Sequence, residues 1–227
     1  MALNIVSNID NRVAVKHVLM SVSDKTGLDT FVPALIASCP QVKIFSTGGT
    51  YTAIQNMLTA AQAAQHLVSV SQYTGQPEMQ GGLVKTLDFK IYLGLLSETY
   101  NHAHQDDLTR THAVAIDMVV VNLYPFKQAV AKPDVTPESA RTNIDIGGPC
   151  MVRASAKNYL RVASVTDPLD YASLIEELKS NNGTLSLSTR FALMKKAFAH
   201  TGSYDTAIAA FFATVTPDHV AATYTLK

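Results

Sequence analysis

Short apolar runs rich in β-branched residues alternate along the chain with stretches of helical periodicity, the pattern of an α/β domain. His17–Ser23 predicts a first strand. Leu28, Phe31, Val32, Leu35 and Ile36 then follow the i, i+3, i+4, i+7, i+8 spacing of an amphipathic helix. Pro33 lies inside that stripe and predicts a bend, because an interior proline removes a hydrogen bond and clashes with the preceding turn. Val42–Ser46 predicts a second strand, followed by a glycine turn and a helix over about Tyr51–Thr59, and Leu67–Val70 predicts a third. Asp117–Leu123 is a continuous apolar run of the kind buried on both faces in a parallel sheet, and Arg161–Thr166 predicts the last strand. Asp167 and Pro168 follow as N-cap and first helical residue, with Tyr171, Leu174, Ile175 and Leu178 as the inner stripe and Asn181-Asn-Gly183 as the stop. Ser188 to about Ala213 reads as one long helix, or two broken near Gly202. Its apolar face is Phe191, Met194, Phe198, Tyr204, Ile208, Phe211 and Phe212.

The pattern shows no internal repeat and no low-complexity linker. It predicts a single domain over residues 1–227, with a core from about 17 to 213 and short flexible ends. The 227 residues are 47% hydrophobic and only 16% charged, against about 25% charged in ordinary soluble domains. A chain this apolar buries a sizeable core, which excludes wholesale disorder. Eighteen Lys plus Arg balance eighteen Asp plus Glu, so there is no general electrostatic reason to bind nucleic acid or an anionic membrane. Cys39 and Cys150 are too few for a disulfide scaffold. No apolar run approaches the roughly 18 to 20 residues needed to span a bilayer, and the start lacks the basic-then-apolar order of a secretory signal. A cytoplasmic setting is the expectation.

In open α/β sheets ligands bind beyond the carboxyl ends of the strands, and three polar clusters follow predicted strand ends directly. They are Ser23-Asp-Lys-Thr-Gly27, Thr47-Gly-Gly-Thr50 and Asn122-Leu-Tyr-Pro-Phe126. The first two are anion cradles in form. Glycines let the backbone approach a ligand closely, and a helix N-terminus offers unpaired N–H groups and a positive dipole end. Lys25 adds a point charge, and the hydroxyls of Ser23, Thr47 and Thr50 are potential phosphate donors. Gly81-Gly-Leu-Val-Lys-Thr86 ends in a cation and a hydroxyl. Asn143-Ile-Asp-Ile-Gly-Gly148 places a carboxylate before a double glycine, just ahead of a helix, and Lys157 falls near the far end of that helix.

These stretches, together with Tyr73-Thr-Gly-Gln-Pro-Glu-Met79, Ala156-Lys-Asn158 and Lys196-Ala-Phe-Ala-His-Thr201, stand in one family's order. Over about His17 to Phe212 the chain closely resembles the inosine monophosphate (IMP) cyclohydrolase domain of the bifunctional purine-biosynthesis enzyme. The resemblance implies a three-layer, methylglyoxal-synthase-like α/β fold, with a mostly parallel central sheet and helices on both faces. It implies closure of 5-formamidoimidazole-4-carboxamide ribonucleotide (FAICAR) to IMP with loss of water, the last step of de novo purine biosynthesis, without metal or organic cofactor. It also implies a homodimer. The chain matches the N-terminal domain only, so the formyl-transferring domain that makes the substrate is expected to be missing or to reside in a separate protein.

By the same resemblance Ser23, Asp24, Lys25, Thr47, Gly48, Gly49 and Thr50 hold the nucleotide phosphate. Val84, Thr86, Val121, Asn122, Ile146 and Gly147 line the rest of the site. Lys157 takes the proton donor and acceptor role, with Lys85, Tyr124 and Asp145 as its catalytic company. Two departures stand out: Leu83 replaces a usual arginine, and Asp88-Phe-Lys-Ile-Tyr-Leu-Gly94 replaces a His-Pro continuation. They keep a non-catalytic nucleotide-binding domain of the same fold as the main rival. A methylglyoxal-synthase-like phosphate lyase ranks lower, because its His-Asp-x-Lys-Lys and Thr-Gly-Thr-Thr-Gly pattern is absent. His102, His104 and His112 with Asp106 and Asp107 read as a polar connecting segment rather than a metal site. Cys150 reads as a small packed thiol.

Overall fold

The computed structural model describes residues 5–77 and 85–227. Five short strands form one parallel sheet, and two three-residue strands lie outside it. β1 (Arg12–Ala14) pairs antiparallel with β7 (Thr184–Ser186) at one margin. β2 (His17–Val22), β3 (Lys43–Ser46), β4 (Leu67–Ser69), β5 (Met118–Asn122) and β6 (Ala163–Val165) follow the spatial order β4-β3-β2-β5-β6, with every pair parallel. Side chains alternate across a strand, yet both faces are covered. Val18, Met20, Met118 and Val120 pack on one side, and Leu19, Val119 and Val121 on the other. That two-sided burial is why the strands read as continuous apolar runs.

α1 (Leu28–Ser38), α2 (Gly48–Met57) and α10 (Tyr171–Ser180) cover the first face. α5 (Phe89–Leu96), α9 (Gly147–Lys157) and α11 (Leu187–Phe212) cover the second. Phe31 of α1 stacks on Tyr171 of α10, with ring centroids 4.3 Å apart. α1 runs through Pro33 as one helix, burying all five residues of the expected stripe. α2 begins at Gly48 rather than Tyr51, so the double glycine is its first turn rather than a loop before it. α11 continues unbroken past Gly202 for 26 residues.

Its inward face differs from the expected aromatic stripe. Arg190, Leu193, Ala197, Thr201 and Tyr204 are buried, whereas Phe191 and Phe198 are exposed under the cations of Lys195 and Arg153. The remaining elements are α3 (Ala60–His66), α4 (Val70–Thr74), α6 (His102–Arg110), α7 (Phe126–Val130), α8 (Pro137–Thr142) and α12 (Pro217–Thr223). The histidine-rich segment is therefore mostly helix α6, capped by Asn101, and not a connecting loop. The divergent segment starting at Asp88 is also ordered. Asp88 Oδ1 accepts the Lys90 N–H at 2.8 Å and caps α5, while a Cβ at Gly94 would sit 2.5 Å from the Val114 carbonyl oxygen.

Two buried arginines fasten the end of the sheet away from the strand tips. Arg161 donates to Asp117 Oδ1 at 3.2 Å and to the carbonyls of Ser97, Ile116 and Gly94. Asp117 Oδ2 in turn accepts the N–H groups of Lys16 and His17, both at 2.9 Å. Arg190 is fully buried and donates to the carbonyls of Asp10, Asn11, Tyr159, Leu160 and Leu185. No helix of the described residues is long and apolar enough to cross a membrane.

Candidate active site

The sheet's strand order reverses direction at β2, from which the chain builds outward through β3 and β4 and later returns on the other side as β5. Such a reversal opens a crevice at the carboxyl ends of the two strands. A cavity of about 500 Å³ lies there, lined among others by Ser23, Lys25, Thr47, Lys85, Thr86, Tyr124 and Asp145. Its central seam is sewn by Asn122, the last residue of β5. Asn122 Oδ1 accepts the N–H groups of Ser23 at 2.7 Å and Asp24 at 2.9 Å, and its Nδ2 donates to the Asp24 carbonyl.

One lobe of the cavity is cationic. Thr47 is extended, Gly48 turns with a φ of +48° that only glycine adopts freely, and α2 starts at once. A Cβ at Gly48 would lie 3.4 Å from Lys85 Nζ, and one at Gly49 would lie 3.9 Å from Lys25 Nζ. Two ammonium groups from separate loops thus flank the N-terminus of a ten-residue helix, where the dipole also favours an anion.

The other lobe holds a carboxyl group. Asp145 Oδ1 accepts the Gly148 N–H at 2.8 Å in the first turn of α9. Burial pushes the Asp145 carboxyl above the ordinary aspartate range, against the hydrogen bonds it receives from the Gly148 and Tyr124 backbones. Both glycines here are needed for close approach. A Cβ at Gly148 would fall 2.4 Å from Asp145 Oδ2, and one at Gly147 would fall 2.8 Å from Thr86 Oγ1. Tyr124 and Ile146 stand exposed at the rim, and Ile144 and Met151 add apolar lining.

The MGS-like domain family matches residues 30–150, over half of the chain. The chain belongs to the MGS-like domain family. Residues 155–227 match a second family, described as the AICARFT/IMPCHase bienzyme. The chain is 47% identical over 199 residues to the bifunctional purine biosynthesis protein PurH of Chlorobaculum parvum, covering 88% of this chain and 36% of that one. It is 45% identical over 200 residues to the protein of the same name from Leptospira biflexa serovar Patoc, covering 88% and 37%. It thus spans a little over a third of the length of these curated relatives. A solved structure described as the crystal structure of ForH superposes with a TM-score of 0.72 at 28% identity, covering 87% of this chain and 98% of that one.

The MGS-like domain brings together in one cavity Ser23, Lys25, Thr47, Gly48, Gly49, Thr50, Lys85, Thr86, Val121, Asn122, Tyr124, Asp145, Ile146 and Gly147. Val84 and Leu83 lie outside the described residues. Three of the expected site residues are hydrogen-bonded within the protein. The Thr50 hydroxyl is engaged by the end of β2, accepting the Val22 N–H at 3.0 Å and donating to the Val22 carbonyl at 3.1 Å. Asn122 likewise spends its amide on the Ser23–Asp24 backbone. Asp24 turns away from the cavity and builds a local turn on the Thr26 side chain and N–H. Those two bonds hold its carboxyl below the usual range.

Lys157 is the last residue of α9, exposed and absent from the cavity lining. The cavity reaches Met151, the fifth residue of that 11-residue helix, and at about 1.5 Å per residue Lys157 lies roughly 9 Å further along the axis. Cys150 also stays out of the lining. A feature the apolar pattern conceals is Tyr204. Read as part of a core stripe, it sends its hydroxyl to the loop that carries Asp145.

Proposed function

We propose that this MGS-like domain closes FAICAR to IMP with loss of water. The observation that carries the reading is one cavity holding a two-lysine helix N-terminus at one end and a half-buried carboxyl group at the other. Lys25, Lys85, Ser23, Thr47 and the Gly48–Gly49 turn bind the 5′-phosphate, and the apolar rim of Ile144, Ile146 and Met151 receives the base. Lys85, expected among the catalytic groups, is assigned here to the phosphate end.

The carboxamide nitrogen attacks the formyl carbon, forming the ring C–N bond and a tetrahedral carbon. Asp145 accepts the nitrogen's proton and passes it to the tetrahedral oxygen, making a hydroxyl group. Loss of the formamido N–H proton then forms the ring C=N bond and supplies the second proton with which the hydroxyl leaves as water. Tyr124 and the first turn of α9 stabilise the developing negative oxygen. Purified protein should convert FAICAR to IMP, and Asp145→Ala should lower kcat by about 10²-fold or more. Lys25→Ala should act mainly on KM. Protein that binds IMP with no turnover would instead support a binding-only domain, the second reading, which the distance of Lys157 from the cavity favours.

A cytoplasmic homodimer belongs to the same proposal, and the exposed Phe191 and Phe198 of α11 are apolar surface suited to a partner copy. Sedimentation at micromolar concentration showing only the 24.5 kDa chain counts against the dimer.

A further inference from the structure

Asp145 does not hold its own position. It sits in the loop between α8 and α9, and its carboxyl group accepts from the Gly148 N–H at 2.8 Å and from the Tyr124 backbone, contacts that hold the side chain but not the loop's own backbone. The backbone of the loop is fastened from α11. The Tyr204 hydroxyl accepts the Asp145 N–H at 2.7 Å and lies 3.3 Å from the Asn143 carbonyl, to which it donates. One oxygen thus satisfies a donor and an acceptor two residues apart, on either side of Ile144. The ring delivering it is itself fixed. Tyr204 is 8% exposed and meets Phe126 edge-on at 6.2 Å, with Phe211 stacked edge-on against Phe126 from beyond at 6.1 Å. Burial raises the Tyr204 phenol above its ordinary range, which keeps it a neutral donor.

We propose that Tyr204 is a positioning residue for the reaction, holding the Asn143–Asp145 backbone so that the Asp145 carboxyl is presented to the cavity. This rests on the cyclohydrolase reading of the site. The phosphate lobe is built from the ends of β2 and β3 and from Lys85 ahead of α5, and the Tyr204 hydroxyl makes neither of its hydrogen bonds to it. Loss of the tyrosine oxygen therefore acts on chemistry and leaves nucleotide binding in place. In this Tyr204 differs from a residue that merely stabilises the fold, whose removal affects both lobes through the folded fraction.

The test is Tyr204→Phe, which removes one oxygen and keeps the ring packing, measured alone and together with Asp145→Ala. Tyr204→Phe should lower kcat about 10-fold with KM within about two-fold. In the Asp145→Ala background it should cost nothing further, since the group it positions is gone. Amide hydrogen exchange of Asp145, followed by NMR, should quicken at least about 10-fold in Tyr204→Phe, with the strand amides unchanged.

A loss of kcat that persists undiminished beside Asp145→Ala overturns the proposal. So does an Asp145 amide that exchanges at its wild-type rate. Should the wild-type protein bind IMP without turning over FAICAR, the cyclohydrolase reading fails by itself. The exchange rate then still decides whether Tyr204 holds the loop: slow exchange lost in the variant supports it, and unchanged exchange refutes it.

Discussion

A carboxyl group shut between two helix starts and an aromatic residue titrates differently from one in water, and Asp145 shows the cause. Burial disfavours its charge more than the Gly148 and Tyr124 N–H groups favour it, so its folded-state pKa is raised. A raised carboxyl contributes its full stability below the unfolded-state pKa and loses it as the pH climbs through the folded-state value. Asp145→Asn keeps an oxygen for the Gly148 N–H and never ionises. The variant's Tm relative to the wild type should therefore be higher at pH 7 than at pH 3.5, where both carry a neutral side chain. Thermal melts across that range check it, and a constant difference would show that the carboxyl is not penalised. The runs that line the cavity were legible in the sequence because most follow strand ends directly and all stand in one family's order. Their partners were not. The hydroxyl of Thr50 and the amide of Asn122 point to backbone groups 28 and 98 or 99 positions away, and no local pattern records that.

Elements were legible in proportion to how much apolar surface they bury. The parallel strands and the stripes of α1 and α10 are dense in Val, Ile and Leu and fall within a few residues of expectation. α3 and α6, with sequences AAQAAQH and HAHQDDLTR, each bury a single residue, His66 and Leu108. Helices this polar carry no periodic signal and rest instead on caps such as the Thr59–Gln62 box. β1 and β7 are three residues each, too short to show alternation. What holds that margin is Arg190 of α11, whose burial no stripe of apolar positions announces. Arg190→Leu would remove the guanidinium donor from five backbone carbonyls, of which Asn11 keeps the Leu187 N–H, and a buried acceptor left unsatisfied costs about 1–3 kcal/mol. Urea denaturation should show a midpoint lowered accordingly. A loss near zero would mean that water replaces the guanidinium.

At the scale of the whole molecule, the cationic lobe links folding to ligand. A nucleotide that binds only the folded state stabilises it by about 2.7 kcal/mol at one hundred times its Kd. IMP should therefore raise the Tm in a concentration-dependent way, and inorganic phosphate should do so more weakly. Lys25→Ala with Lys85→Ala should remove most of the shift, and added salt should weaken it, since screening acts on exposed charge. A shift that survives both substitutions would move the phosphate away from the start of α2. The rim of the same cavity has a further use. The chain contains nine tyrosines and no tryptophan, so its ultraviolet emission comes from tyrosine alone. Tyr124, 57% exposed at the cavity mouth, changes its surroundings when a ligand covers that mouth. Tyrosine emission that changes on adding IMP to the wild type and not to Tyr124→Phe would report occupancy of the site with no label attached, and an unchanged emission would place the ligand away from Tyr124.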